Sequence, residues 1–181
     1  MDLLIGLEFM PFSSFQSGTV YEIIKNSYAL FTSLSSREKE WLLLDSEIFS
    51  NTTFYDLQGF IAALDGEPVG FICWQIEDNG ENARLLECSI VVAHQKKGYG
   101  GAMLEEAIRR LALVGVKSIK AKTNERLIAS CRLFDKYNFS FVSLSRDVDL
   151  SESLGFCVNY LHIVGKKLAR PKKQRKKWKI F

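Results

Sequence analysis

Residues 95 to 101 read Gln95-Lys96-Lys97-Gly98-Tyr99-Gly100-Gly101, after an apolar run, Cys88-Ser89-Ile90-Val91-Val92, and before an amphipathic segment from Met103 to Leu113. A strand, a glycine-rich turn and a helix start, in that order, form an arrangement that binds phosphate. The turn exposes backbone N–H groups, the glycines admit a ligand close to the backbone, and the helix N-terminus favours an anion. The segment is therefore expected to hold a phosphate-bearing cofactor. Glycine spacing narrows the choice. No Gly-x-x-x-x-Gly-Lys-Ser/Thr string is present, which excludes a P-loop. A dinucleotide fingerprint needs a third glycine where Met103 stands.

What remains is Gln-x-x-Gly-x-Gly after a strand, with Lys96 and Lys97 inside the turn. Downstream comes Ser130-Cys131-Arg132-Leu133-Phe134-Asp135-Lys136-Tyr137-Asn138-Phe139. Together these segments resemble the GNAT superfamily of acyl-coenzyme A N-acyltransferases. The first is similar to its pyrophosphate motif, the second to its Ala-x-x-Leu-Tyr-x-Lys-x-Gly-Phe helix, which flanks the coenzyme. Leu133, Lys136 and Phe139 match, Ser130 takes the small position, and Asn138 replaces glycine, a mild change at a left-handed helix cap. Phe134 stands where the family usually has tyrosine. The resemblance runs from about Gly59 to Val164 and implies an α/β GNAT fold, a mixed central sheet of about seven strands with about four helices.

The chain has 181 residues, which is most simply one domain. We place that domain at residues 1–165 and a basic C-terminal tail at 166–181. Nine of the 24 Lys and Arg residues lie in the tail with no acid among them, so the body carries 15 bases against 21 acids. A body at −6 suits a cationic amine, and equally suits an ordinary solvated surface. No apolar run reaches the ~18 residues that span a bilayer. The start, Met1 to Glu8, has acids where an export signal has bases. The expectation is a cytoplasmic protein with no membrane partner. Cys73, Cys88, Cys131 and Cys157 are far apart in apolar segments and read as buried free thiols, with no metal site.

Hydrophobic periodicity orders the rest. A strand is expected over Leu3–Met10, a helix over Gly18–Phe31, and a second helix near Trp41, capped by Ser35 with Glu38. Strands over Gly59–Leu64 and Val69–Ile76 join at Asp65-Gly66-Glu67-Pro68, and a strand over Arg84–Val92 follows a turn at Asp78-Asn79-Gly80. The helix after Gly100 buries Met103, Leu104, Ala107, Ile108 and Leu111, with Glu105–Arg109 and Glu106–Arg110 pairs outside. A strand over Lys117–Lys122, a helix over Arg126–Tyr137 and strands over Phe139–Val148 and Gly155–Val164 complete the order.

The resemblance implies acetyl-CoA as cosubstrate, in a notch where two central strands splay. Its pantetheine arm would pair with the backbone of Cys88, Ser89 and Ile90, and its pyrophosphate would rest on the amides of Lys96 to Gly101 (Lys96, Lys97, Gly98, Tyr99, Gly100, Gly101), with Gln95 bracing the turn. Phe134 would lie near the coenzyme sulfur, and Asn124 would either touch the arm or cap the next helix. The chemistry is attack of a neutral amine on a thioester. It needs a base, an oxyanion donor and a proton for the thiolate. Glu87, flanked by Leu85, Leu86 and Cys88, is the candidate base, because desolvation raises a carboxyl's pKa towards a useful range; an edge glutamate facing solvent is the equal alternative. An amide near Cys88 to Ile90 is the candidate oxyanion donor. Tyr160 is the reserve proton donor, sharing a strand face with His162. His94 is expected to face solvent.

The leading expectation is an N-acetyltransferase acting on a primary amine of a small molecule or an amino sugar. Asn159-Tyr160-Leu161-His162 adds a slight resemblance to acetyltransferases of amino-sugar nucleotides. A CoA-binding regulatory domain without turnover and a protein or peptide N-acetyltransferase are the alternatives. Nucleic-acid binding through the tail and Trp178 ranks below a simply solvated tail, since no groove-reading motif accompanies it. A homodimer is left open.

Overall fold

The computed structural model describes residues 6–11, 17–27, 57–77, 80–125, 127–145 and 156–165. Within them, seven strands form one sheet: β1 Leu7–Pro11, β2 Gln58–Leu64, β3 Glu67–Glu77, β4 Asn82–Ile90, β5 Ser118–Asn124, β6 Ser140–Ser145 and β7 Cys157–Ile163, in spatial order β1-β2-β3-β4-β5-β7-β6. The described helices are α1 Ser17–Ser27, α2 Tyr99–Leu113 and α3 Ile128–Lys136. The helix expected near Trp41 and the tail at 166–181 lie outside the described residues, as do Asp78 and Asn79 of the expected turn.

Neighbouring strands are antiparallel except β4 and β5, which run parallel through the α2 crossover. The β2–β3 hairpin closes on two residues, Asp65 at φ 51° and Gly66 at φ 83°. Positive φ at both centres is the turn geometry that matches strand twist, so β3 begins at Glu67, two residues before the expected Val69. Strands β2 and β3 read as continuous apolar runs because both faces are covered. Ile61, Phe71 and Cys73 face α1 through Val20, Ile23 and Ile24. Phe60, Ala62 and Ile72 join the opposite core with Met103, Leu104 and Leu111 of α2. Each of these large side chains, fully buried, contributes about 1.5–3 kcal/mol.

Several local differences from the sequence reading have clear causes. Strand β4 stops at Ile90, because Val92–His94 winds into a single 3-10 turn. Strand β5 continues past Lys122 to Asn124, drawn on by pairing with β7 down to Cys157. Glu106 takes both Arg109 (2.7 Å) and Arg110 (2.8 Å), so Arg109 does not turn to Glu105. Arg110 also donates to the Phe9 carbonyl at 3.3 Å, which anchors α2 over β1 and fixes Glu106 between the two guanidiniums. Of the four free thiols only Cys73 and Cys157 are buried; Cys88 and Cys131 are partly accessible. Asn138 ends α3 at φ 62°, the left-handed cap that its place in the sequence implies.

Candidate active site

Strand β4 pairs with β3 along its whole length but with β5 only from Asn82↔Ser118 to Leu85↔Ala121. The break coincides with a bulge. Cys73 faces Glu87 and Trp74 faces Leu85, which leaves Leu86 as the extra residue of β4. A bulge bends its strand and increases local twist, so β4 swings away from β5, and beyond Leu85 the two strands bound a notch. The Val91 amide donates to the Val69 carbonyl at 3.0 Å. Antiparallel alternation from that bond points the backbone groups of Ser89 toward β3 and those of Cys88 and Ile90 into the notch.

The notch leads to the start of α2. Lys96 (φ 61°) and Gly98 (φ 93°) both take left-handed conformations, the geometry in which successive N–H groups converge on an anion. The first amide to bond within the helix is Ala102, to the Gly98 carbonyl at 3.1 Å, and the N-cap Gly98 makes no side-chain cap. The amides of Tyr99, Gly100 and Gly101 therefore make up the free end of the helix. The three glycines do different things. Gly98 supplies the positive φ. A Cβ on Gly100 would project between Ile90 and Leu133, 3.8 Å from each, into the path between β4 and α3. A Cβ on Gly101 would overlap the Tyr137 hydroxyl, so that glycine lets α3 close on α2. Lys96 and Lys97 are exposed, whereas the Tyr99 ring is buried and leaves only its amide for a ligand. An extended thiol cofactor with a pyrophosphate fits this groove: a strand edge for its arm, an uncapped helix end for its phosphates, and a glycine where it passes.

Gln95 braces the turn. Its Nε2 donates to the carbonyls of Ile90 at 2.8 Å and Ser27 at 3.1 Å, tying β4 and the end of α1 to the phosphate turn. Glu87 is part-buried on the α1 side of β4. Its Oε1 accepts from the Ser89 hydroxyl at 2.6 Å and the Cys88 amide at 3.1 Å. The candidate base thus occupies one of the amides that could serve as an oxyanion donor. The carboxylate has to release Cys88 N–H before a thioester oxygen can take it. Burial, then the charge of Glu87, pushes the Cys88 thiol up to about 12, so it stays a thiol.

On the opposite face of the sheet, Phe134 is buried, its ring 5.2 Å from Tyr160 and 5.0 Å from Phe139. Tyr160 pairs across the sheet with Ala121 and hydrogen-bonds the Cys131 thiol; burial and that thiol push its phenol pKa up. His162 shares this face, stacked 4.9 Å from Phe139, and burial lowers its pKa. The Asn124 carbonyl accepts from the Leu127 amide at 3.0 Å and the Cys131 thiol at 3.8 Å, securing the start of α3 through the main chain. His94 is half-buried rather than turned fully to solvent: the 3-10 turn brings its ring to 6.0 Å from Tyr99 and buries Nδ1, which has no partner among the described residues.

Sequence reasoning missed Ser27 and Leu86. Ser27 follows Val20, Ile23 and Ile24 at helical spacing and is 5 % exposed, so a polar residue interrupting that apolar stripe was its signal. Nothing in the sequence marks the bulge at Leu86.

A mixed sheet that opens between two parallel strands, with a glycine turn and an uncapped helix at the opening, is the architecture of the acyl-coenzyme A N-acyltransferase fold. Residues 20–139 match the family model Acetyltransferase (GNAT) family. The chain belongs to the GNAT acetyltransferases, a generally acetyl-CoA-dependent family. Comparison with curated protein sequences gives no match. Among solved structures, the ribosomal-protein-S18-alanine N-acetyltransferase of Escherichia coli is similar with a TM-score of 0.70 and 16% identity, over 90% of this chain and 99% of that one. Ard1 of Thermoplasma volcanium gives a TM-score of 0.65 at 19% identity, over 89% of this chain and 99% of that one. The PaiA N-acetyltransferase of Thermoplasma acidophilum, in complex with coenzyme A, gives 0.63 at 19% identity, over 84% and 97%. At these identities the likeness is one of fold. Among the described residues no cluster of metal-ligating side chains occurs and no helix is long and apolar enough to cross a membrane.

Proposed function

We propose that this protein transfers the acetyl group of acetyl-CoA to a primary amine of a small molecule or an amino sugar. The observation that carries the reading is the parting of β4 from β5 beyond Leu85 and Ala121, which leaves a strand edge leading to the free amides of Tyr99 to Gly101. In this reading the Cys88 carbonyl and the Ile90 amide pair with the pantetheine arm, since Glu87 holds the Cys88 amide and Gln95 the Ile90 carbonyl, and the amides of Lys96 to Gly101 hold the pyrophosphate. Gln95 fixes the turn. Phe134 and Asn124 border the thioester end.

Glu87 takes a proton from the incoming ammonium, directly or through a water. The freed amine attacks the carbonyl carbon, and the oxygen charge is met by an amide in the Cys88–Ile90 stretch. The C–S bond then breaks, the nitrogen gives up its second proton to water, and the departing thiolate receives a proton from Tyr160 or from water. Glu87 on β4 and Tyr160 on β7 belong to opposite faces of the sheet, which supports separate roles for a base and an acid.

A protein N-terminus is the second acceptor class. It is favoured by the similarity to the E. coli enzyme, whose name gives an alanine of a ribosomal protein as its acceptor. The test is release of CoA, with mass-spectrometric detection of acetylated product, across amines, amino sugars and peptide N-termini. Product from a small amine or amino sugar supports the proposal. Product from peptides alone replaces the acceptor class, and tight acetyl-CoA binding without product across the panel replaces catalysis by a regulatory role.

A further inference from the structure

Glu87 is one end of a hydrogen-bonded chain that reaches the phosphate turn. Ser89 has a single hydroxyl proton and gives it to Glu87 Oε1 at 2.6 Å. The lone pairs of Ser89 face the Ser27 hydroxyl at 3.2 Å. Ser27 has two acceptors for its own proton, Ser89 Oγ and the Ile24 carbonyl at 2.7 Å. Its main-chain carbonyl is gripped by Gln95 Nε2 at 3.1 Å, and the other amide proton of Gln95 goes to Ile90. Both serines are buried, at 5 % exposure each, so no bulk water substitutes for these partners.

We propose that Ser89 and Ser27 are positioning residues for the base, and that Gln95 ties them to the coenzyme turn. This rests on the reading of Glu87 as the base. A hydroxyl that donates to a carboxylate favours its charged form. When Ser27 gives its proton to Ser89, the Ser89 bond to Glu87 strengthens cooperatively; when it turns to Ile24, that support is withdrawn. The Ser27 rotor therefore grades the basicity of Glu87. Gln95 holds Ser27 where the choice exists and does so from inside the turn that meets the pyrophosphate.

Among the described residues, the two thiols that feel the Glu87 charge stay protonated over the carboxylate range. Cys73 on β3 is pushed well up by burial and by the Glu87 charge, and Cys88 on β4 is pushed up to about 12. From α1 the facing groups are Val20, Ile23 and Ile24, with Ser27; the charged residues Glu22 and Lys25 are exposed and pair with each other at 3.5 Å. Beyond Leu85 no β5 residue pairs with this part of β4.

The test is carboxyl ¹³C NMR titration of the full chain, which needs no acceptor, with Glu87→Gln to assign the resonance. Ser89→Ala is expected to raise the Glu87 midpoint by about one pH unit, the size of one hydrogen bond to a charged group. Ser89→Thr keeps a hydroxyl and should restore the wild-type midpoint. Ser27→Ala and Gln95→Leu should each raise it by less than Ser89→Ala, and neither should add to the shift in the Ser89→Ala background. An unchanged midpoint in Ser89→Ala, with the rest of the carboxyl spectrum native, overturns the proposal. So does additivity of Ser27→Ala with Ser89→Ala. The base assignment is judged separately: if the acid limb of kcat/KM for CoA release survives Glu87→Gln, Glu87 is not the base, whatever the NMR midpoints do.

Discussion

The ring of Phe134 lies 5.2 Å from the ring of Tyr160, so the helix position that lacks a hydroxyl rests against a strand residue that has one. The Tyr160 hydroxyl is engaged with the Cys131 thiol and its pKa is raised, which keeps it protonated but makes it a weaker acid, so it donates only on leaving Cys131. Tyr160→Phe is expected to lower turnover about 10²-fold, the usual weight of a general acid, at unchanged acetyl-CoA affinity. Phe134→Tyr, which places a second hydroxyl in the same pocket, should recover part of that loss in the double variant. Steady-state CoA release measures both. Wild-type turnover in Tyr160→Phe assigns the proton to water.

Gly100→Asp is expected to abolish measurable acetyl-CoA binding while leaving the fold intact. Its side chain would enter the gap between Ile90 and Leu133 and carry a negative charge toward the phosphates. Loss of two charge-assisted contacts costs about 3 kcal/mol or more, over a hundredfold in affinity. Calorimetry gives the affinity and circular dichroism the fold. Gly98→Asp is a poorer probe, since φ 93° strains any side chain at that position and folding suffers with binding.

Gly70→Ala should destabilise the protein by about 1–3 kcal/mol, as overpacking of a filled core does. A Cβ at that position of β3 would stand 2.5 Å from Ile90 Cδ1 and 2.7 Å from Met103 Sδ. Urea unfolding should show a lower midpoint with the same slope. Gly66→Ala is the control, since it meets no packing contact and acts only through its positive φ.

Glu106 gives a pH signature. Arg109, with Arg110, holds its carboxyl at about 2, below its ordinary value of 4.5. A carboxyl with a lowered folded-state pKa contributes stability above the unfolded value and loses it as pH falls through the folded one. The advantage of wild type over Glu106→Gln should therefore be full above pH 4.5, decline from there, and vanish near pH 2. Because Arg109 is exposed, the full difference should be only about 1 kcal/mol. Urea midpoints of the two proteins at a series of pH values check it.

Short-range chemistry was legible in the sequence. The Asp65-Gly66 turn, the left-handed Asn138 and the glycine turn before α2 each depend on residues within a few positions of one another, and each stands where the pattern puts it. Pairings across the sheet were not legible. Ser27 and Ser89 are 62 residues apart, and Gln95 and Ser27 are 68 apart, so only the packing of α1 on β4 brings them together. The Leu86 bulge escaped for another reason: an extra residue in a strand leaves the apolar pattern of Leu85, Leu86 and Cys88 readable as ordinary alternation broken once.

The parallel seam of β4 and β5 has a mechanical consequence. Four residue pairs, Asn82↔Ser118 to Leu85↔Ala121, are the direct strand contact between β1–β4 on one side and β5, β7 and β6 on the other. A ligand lying in the open part of that seam acts as a strut between two plates joined along a short hinge. Its binding should stiffen the whole sheet, slowing amide exchange at Lys122 to Asn124 as much as at the phosphate turn itself.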